Sequence, residues 1–281
     1  LYPAAATRPC SDIDLLVKPE HYLKARQILK EIGYKSWYKR FENFQELFNS
    51  EPFSHRMDPT KPYEVDLHWD IFQYHGLKRG NGIDAFFDRK ITVETPRLTF
   101  HTLSTVDALL QAAFHLVLHH PESNRLIWIS DIALLCQKLT DRKDWEDLRN
   151  RTSKFKLGLA IEKALKLAQF WYGIRLPEGY DAYTQLPKPE IAEKTELEYV
   201  TNNRATDIRL SGYLETLRES PNKILYLIKF LFPPHDYIRA THPPSRNWLL
   251  PFSYVRRWAH WFAKLVQYGL DAWRSEHRAK Q

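Results

Sequence analysis

The stretch SDIDLLV, Ser11 to Val17, places two aspartates one residue apart at the head of an apolar run. Asp is usually depleted in strands. Because alternate residues of a strand point to the same face, Asp12 and Asp14 would project together, about 6–7 Å apart. Two such carboxylates repel each other, and a cation bound between them would offset this repulsion. The stretch therefore predicts a buried strand that carries a cation site, and surface aspartates at a strand end are the alternative.

A second strand-like segment supplies a third carboxylate. YEVDLHWDIF, Tyr63–Phe72, carries Asp66 between two apolar residues, and His68 follows two positions later on the same face. Mg²⁺ prefers oxygen ligands and is commonly held by one or two carboxylates together with substrate phosphates. Three carboxylates on neighbouring strands could hold two ions that assist an in-line phosphoryl displacement. His68 could contact the phosphates or orient a carboxylate, and a packed strand histidine is the alternative.

The composition is that of a folded protein with an anionic partner. The chain of 281 residues is 43% hydrophobic and contains nine Trp, which excludes a disordered chain. Its formal charge of +7 suits a nucleotide, a nucleic acid or an acidic membrane, and an ordinary basic surface is the alternative. Two cysteines are too few for a secreted disulfide scaffold, so we expect a reducing, cytoplasmic location. The apolar run Ile224–Phe232 is too short to span a membrane.

The order of the predicted elements indicates an α+β protein. Residues 1–101 are predicted to form a small mixed-sheet α/β domain, in which Pro19 begins a helix and Gly33 ends it. The apolar stripe of that helix is predicted to comprise Leu23, Ile28, Leu29 and Ile32. Strand-like pieces follow, and one of them carries His55, a weaker candidate neighbour of the site. Residues 102–281 are predicted to form an all-helical domain, opened by a Ser/Thr-x-x-Asp cap signal at Ser104 or Thr105.

Polar residues inside the helical half need an explanation. His115 and His119 are spaced i, i+4 with His120 beside them, but the HExxH pattern is absent and no third zinc ligand is evident. We therefore favour helix packing or a hydrogen bond to substrate over zinc. Asp131 lies in an apolar helix, and a buried charge needs a partner, for which Arg125 and His119 are candidates.

The last predicted helix, from about Phe252 to Arg274, is basic and aromatic. One face would carry Tyr254, Trp258, Trp261, Leu265, Tyr268 and Ala272. Such a helix could lie on a membrane surface or contact RNA. Ordinary packing of the helix in the core is the favoured interpretation.

Several of these segments, taken in order, resemble the uncharacterised nucleotidyltransferase family of the DNA-polymerase-beta-like superfamily. The matching segments are RPCSDIDLLV, KARQILKEIGY, YEVDLHWDIF, LLQAAFHLVLHH and RLIWISDIALL. By this resemblance Asp12 and Asp14 would bind two Mg²⁺ or Mn²⁺ ions that hold a nucleoside triphosphate, expected to be ATP. Asp66 would share a metal and help to deprotonate an acceptor hydroxyl. The reaction would transfer a nucleoside monophosphate to that hydroxyl and release pyrophosphate.

The sequence departs from the superfamily pattern just before the Asp-x-Asp strand. Members usually carry a Gly-Ser or Lys-Gly element there, whose backbone N–H groups bind the triphosphate. Residues 1–10 contain no glycine, so we expect this element either to lie upstream of Leu1 or to be lost. Ser11 and Arg8 are the nearest candidates for phosphate contacts.

Three functions remain open on the sequence alone. The favoured one is a metal-dependent nucleotidyltransferase, whose acceptor could be a small molecule, a sugar, a peptide, a protein or RNA. The glycine-free start leaves room for a catalytically degenerate member that acts as a binding protein. A toxin-like enzyme that modifies tRNA is the third, and the positive charge permits it.

Overall fold

The computed structural model describes residues 8–10, 12–37, 49–55, 63–72, 82–120, 125–176, 217 and 222–278. The chain forms two compact units. The one we call the helical unit comprises Leu1–Cys10, Ile71–Gln73 and Leu77–Ala205, and the one we call the sheet unit comprises Ser11–Asp70, Tyr74–Gly76 and Thr206–Gln281. The sequence predicts a boundary near residue 102 between two domains. The division into contact units does not test whether these domains fold independently, so the boundary stays a prediction.

The sheet unit is built on a four-stranded mixed sheet. Its strands are β1 (Asp12–Leu16), β2 (Tyr34–Ser36), β3 (Ser50–His55) and β4 (Tyr63–His68), in the order β1-β4-β3-β2. The strands β1 and β4 run parallel, whereas β3 is antiparallel to both β4 and β2. The two segments predicted to carry the carboxylates are therefore neighbouring strands.

A single helix connects β1 to β2, and its ends lie where the sequence predicts them. Pro19 opens a short 3₁₀ turn, which leads into α1 (Tyr22–Glu31). Gly33 then adopts a φ of +98°, a conformation that side chains with a Cβ rarely adopt. A Cβ at Gly33 would also lie 2.9 Å from Nε2 of His55, so glycine is required here for two reasons.

The apolar stripe predicted for α1 is wrong except at Leu29. Leu23, Ile28 and Ile32 are 60%, 47% and 58% exposed, whereas Leu29 is buried. The buried face of α1 instead runs through Tyr22, Arg26 and Leu29. The physical reason is that Arg26 pairs with a buried carboxylate of β3, so the face of α1 that carries Arg26 packs against the sheet. The most apolar face of the helix is therefore turned away from the core.

The core of this unit lies between α1 and one face of the sheet. It comprises Tyr22, Leu29, Phe53, Val65, Leu67 and Trp69, with the rings of Tyr22 and Trp69 centred 4.5 Å apart. The strand β1 lies at the edge of the sheet, and its Ile13 and Leu15 are 53% and 40% exposed. The prediction of a buried strand is therefore wrong, because the core is centred on β3 and β4.

The helical unit contains a hairpin followed by helices. Its described elements are α2 (Gly82–Asp88), β5 (Ile91–Glu94), β6 (Thr99–Thr102), α3 (Thr105–Phe114), a π-helical turn (His115–His119), α4 (Leu126–Lys138), α5 (Arg142–Lys154) and α6 (Gly158–Tyr172). The cap predicted before α3 is confirmed, because the Ser104 hydroxyl accepts a hydrogen bond from the Asp107 N–H.

Aromatic and charged contacts hold the helical unit together. Phe72 packs against Phe86, Phe114 and Phe155, with ring centroids 5.1–6.0 Å apart. Asp107 is fully buried and forms ion pairs with Arg89 and Arg151, at 2.8 and 3.1 Å. A second buried acid, Asp131, is described with the candidate site below.

The C-terminal helices α7 (Lys223–Leu231), α8 (His235–Thr241) and α9 (Leu250–Arg278) belong to the sheet unit. The Tyr254 hydroxyl donates to the Pro233 carbonyl at 2.7 Å, and Trp258 Nε1 donates to the Leu231 carbonyl at 2.8 Å. These contacts support packing for the first turns of the aromatic face of α9, while the side chains of Tyr268 and Ala272 lie outside the described residues.

The predicted fold class is confirmed. A small mixed sheet with its helix precedes a long helical region, which is the α+β arrangement expected from the sequence. Among the helices of the described ranges, none combines the length and the apolar character needed to cross a membrane.

Candidate active site

The pairing of β1 with β4 brings the predicted carboxylates to one face of the sheet. In the parallel ladder Asp14 lies opposite Asp66, Asp12 lies opposite Glu64, and Leu16 lies opposite His68. Because side chains alternate along a strand, the acids of both strands share a face with His68. We call this the acidic face.

Three of these residues lie close enough together to contact one common ion. One carboxylate oxygen each of Asp14 and Asp66 and a ring nitrogen of His68 all lie within 4.8 Å of one another. His68 Nε2 is 3.0 Å from Asp14 Oδ1. This hydrogen bond favours the prediction that His68 orients a carboxylate. Asp12 lies on the same face, two residues before Asp14, and is not a member of this close group.

The electrostatics of the acidic face are set by burial and by like charges. Burial raises the pKa of Asp66, and the neighbouring Asp14, Asp12 and Glu64 raise it further, while His68 lowers it. Asp14 is 66% exposed at its side chain and so remains open to solvent. A group of carboxylates whose charges oppose one another favours a bound cation.

The donor atoms fit a divalent cation that binds oxygen. Asp14 and Asp66 offer carboxylate oxygens from two strands, and Asp12 offers another on the same face. Mg²⁺ and Mn²⁺ are commonly held by one or two carboxylates and keep their other positions for water and phosphate oxygens. His68 is a poor Mg²⁺ ligand but a suitable hydrogen-bond partner for Asp14, which holds that carboxylate in place.

Sequence reasoning missed Glu64 as part of this face. It lies two residues before Asp66 on β4 and opposite Asp12, and its charge raises the pKa of Asp66. The strand alternation in YEVDLH contains this signal, because Glu64, Asp66 and His68 are all even-numbered positions of one strand.

The prediction that His55 lies near the site is wrong. His55 pairs with Tyr63, so it shares the core side of the sheet rather than the acidic face. Its Nε2 lies 3.0 Å from the Ile32 carbonyl oxygen, and its ring packs edge-on against Tyr34. The error arose because the register of β3 against β4 could not be read from the sequence.

The two proposed phosphate contacts before β1 remain predictions. Ser11 lies outside the described residues. Arg8 belongs to the helical unit, where Nε and Nη2 donate to both carboxylate oxygens of Asp131 at 2.8–3.2 Å. Asp131 therefore pairs with an arginine, as expected of a buried charge, but this partner lies 123 positions away and could not be identified from the sequence.

Three histidines of the helical unit form a second group of ligand atoms. One ring nitrogen from each of His115, His119 and His120 lies within 4.8 Å of the other two. Burial lowers the pKa of His120, and the nearby Arg125 lowers it further. The neutral form of this imidazole is thereby favoured. The sequence alone did not predict that the ring of His120 lies with the other two.

Comparison with known proteins assigns the family. A family model described as "Uncharacterised nucleotidyltransferase" matches residues 1–173, which is more than half of the chain. The matched region contains both strands of the acidic face and the three histidines. A search of curated proteins finds no match. The chain therefore belongs to this uncharacterised nucleotidyltransferase family, whose name indicates a transferase that uses a nucleotide substrate.

Proposed function

We propose that the protein is a Mg²⁺- or Mn²⁺-dependent enzyme that transfers a nucleoside monophosphate from a nucleoside triphosphate, expected to be ATP, to an acceptor hydroxyl. The reaction forms a bond between the acceptor oxygen and the α-phosphorus, breaks the bond from that phosphorus to the bridging oxygen, and releases pyrophosphate. The acceptor is a small molecule, a sugar, a peptide, a protein or RNA. The expected location is the cytoplasm.

The observation that carries this proposal is the register of two parallel strands. Asp14 on β1 and Asp66 on β4 are cross-strand partners, and their oxygens lie within 4.8 Å of each other and of the His68 ring. The neighbouring acids raise the pKa of Asp66, and a cation bound among these carboxylates would offset their repulsion. The chain belongs to a nucleotidyltransferase family, and cations held at this acidic face would assist the phosphoryl displacement that such a transfer requires.

Each residue of the acidic face has a proposed role. Asp12, Asp14 and Asp66 would hold the cations, which when bound neutralise the charge of the triphosphate and of the leaving pyrophosphate. Asp66 would accept the proton of the acceptor hydroxyl. Burial raises its pKa, which makes it a stronger base than an ordinary Asp. His68 would orient Asp14 through their 3.0 Å hydrogen bond.

The test is a transfer assay with α-labelled nucleotides. The full chain is incubated with Mg²⁺, with each of the four α-³²P-labelled nucleoside triphosphates and with either pooled tRNA, a cell extract or no addition. Label that becomes bound to polymer or small-molecule acceptors, together with pyrophosphate release, supports the proposal. The variants Asp14→Asn and Asp66→Asn should each reduce transfer by at least about a hundredfold, the lower end of the range for removing one group that stabilises a transition state.

Matched variants separate a catalytic role from a structural one. Asp88→Asn, at an exposed position in α2, should leave transfer unchanged. His68→Gln should reduce transfer less than the aspartate variants, because it only loses the group that orients Asp14. Transfer that persists in the double variant Asp14→Asn with Asp66→Asn would refute the mechanism. Binding of Mg²⁺ and ATP without transfer to any acceptor would instead favour a degenerate binding protein.

A further inference from the structure

The end of α3 is not an ordinary helix terminus. Residues His115–His119 form a π-helical turn, and the His120 N–H donates to the His115 carbonyl at 3.0 Å. In an α-helix with 3.6 residues per turn, residue i+5 lies about 140° around the axis from residue i. A turn closed between residues i and i+5 reduces that angle and returns His120 to the side of His115.

The wide turn therefore brings three imidazoles together. The ring centroids of His115 and His119 are 5.2 Å apart, those of His115 and His120 are 4.7 Å apart, and those of His119 and His120 are 4.2 Å apart. More important for ligation, one ring nitrogen from each residue lies within 4.8 Å of the other two. Three nitrogens at such distances could converge on one ion with small rotations of the rings.

The surroundings hold two of these rings in position. Trp128, in the first turn of α4, packs edge-on against His115 at 4.6 Å and in a tilted contact against His120 at 5.0 Å. His115, His119 and His120 are all partly buried and partly open to solvent. The group therefore combines restricted rings with access from solvent, which a binding site for an ion requires.

We propose that His115, His119 and His120 bind one divalent transition-metal ion, with Zn²⁺ as the expected ion. Imidazole nitrogen is a preferred ligand of Zn²⁺ and other late first-row ions, whereas Mg²⁺ prefers oxygen. Three histidines leave a fourth tetrahedral position for water or an anionic ligand. The site is chemically distinct from the acidic face and does not depend on the proposed transfer reaction.

Arg125 opposes metal binding and provides a sensitive control. Its guanidinium carbon lies 4.9 Å from the centre of the Trp128 ring, which packs against both His115 and His120, so its positive charge lies close to the imidazoles. A bound cation would experience the same positive charge. The variant Arg125→Gln should therefore tighten Zn²⁺ binding by a few-fold.

The test measures Zn²⁺ binding to the full chain by calorimetry in the presence of excess Mg²⁺, which saturates sites that prefer oxygen. The wild type should bind one Zn²⁺ ion per chain. The variants His119→Gln and His120→Gln should each weaken binding by at least about tenfold, the lower range for perturbed metal sites. His101→Gln, at an exposed histidine of the β5–β6 hairpin, should leave the affinity unchanged.

Two further measurements distinguish binding at the three histidines from binding at the acidic face. The double variant Asp14→Asn with Asp66→Asn should bind Zn²⁺ as the wild type does, because its three histidines are unchanged. X-ray absorption of the Zn²⁺-loaded protein should show three imidazole nitrogens at about 2.0–2.1 Å. Circular dichroism identifies any histidine variant that fails to fold, and X-ray absorption on the wild type tests the site without such variants.

The contradicting results are equally specific. The proposal is wrong if the wild type binds no Zn²⁺ in excess Mg²⁺, or if the affinity is the same in the wild type and in folded His119→Gln and His120→Gln. It is also wrong if X-ray absorption shows mainly oxygen ligands, or if Zn²⁺ binding is lost only in the aspartate double variant. Each of these results leaves the proposed transfer reaction unaffected.

Discussion

The carboxylates on the two faces of the small sheet have opposite surroundings. On the core side, Glu51 of β3 is fully buried, and Arg26 donates to both of its oxygens at 2.9–3.1 Å. Tyr22 donates a further hydrogen bond at 2.5 Å, and Ser36 also contacts this carboxylate. On the other side, Asp66 lies among acids, and His68 is the basic group that lowers its pKa.

The difference distinguishes a structural carboxylate from one available to a ligand. A buried acid that stabilises a fold is surrounded by donors of its own chain, as Glu51 is. The same holds in the helical unit, where Asp107 pairs with Arg89 and Arg151. The acidic face instead gathers like charges, which lowers the stability of the free protein and favours a cation. Substitutions on each side can test whether this distinction is correct.

The largest effect is expected for Arg26→Met. The change leaves the Glu51 carboxylate buried without its cation, and breaking a buried ion pair in this way costs about 3–5 kcal/mol. Urea unfolding followed by circular dichroism measures the loss. Lys24→Met, at an exposed position of the same helix, is the control and should change stability by less than about 0.5 kcal/mol. A small effect of Arg26→Met would show that the buried pair with Glu51 does not stabilise the fold.

A smaller loss is expected for Asp107→Asn in the helical unit. The neutral side chain keeps the size of Asp but weakens the pairs with Arg89 and Arg151, at a cost of about 1–3 kcal/mol. Thermal unfolding compares this variant with Asp88→Asn, an exposed substitution of the same chemistry. Equal stability of the two variants would show that a buried acid with its own cations does not stabilise this fold.

The smallest effect, and one of opposite sign, is expected for Asp14→Asn. Removing this charge should lower the pKa of Asp66, because Asp14 is one of the groups that raise it. An acid whose pKa is raised in the folded state holds its proton longer there, so stability falls as the pH rises through that pKa. In metal-free buffer the variant should therefore be at least as stable as the wild type at pH values above that pKa. In acid the substitution should give no increase in stability. Denaturation curves at several pH values measure this, and clear destabilisation near neutral pH would show that Asp14 is structural.

Local signals predicted the parts of the fold that depend on neighbouring residues. The Asp-x-Asp strand, the Asp66 strand, the glycine that ends α1 and the Ser104 cap are each set by short-range geometry. The buried face of α1 was not predictable in this way. It depends on the pair between Arg26 and Glu51, whose partners lie 25 residues apart, and α1 is amphipathic in more than one direction.

The site shows the same limit. Alternation along single strands placed Asp14, Asp66 and His68 on one face, once the strands were assumed to be neighbours. The side of the sheet on which His55 lies depends on the register of β3, which no local signal gives. The closeness of His120 to the His115 ring was not predicted, because standard helix geometry separates the two residues and the sequence has no clear marker for a π-helical turn.

The most direct test of the central claim is thermal unfolding of the full chain with and without Mg²⁺ and ATP. A ligand that binds only the folded state stabilises it by about 2.7 kcal/mol at one hundred times its dissociation constant. The melting temperature of the wild type should therefore rise when both are added, whereas the double variant Asp14→Asn with Asp66→Asn should show no rise and Asp88→Asn should behave as the wild type. An equal rise in the double variant, or none in the wild type, would contradict the assignment of the acidic face to a cation and a nucleotide.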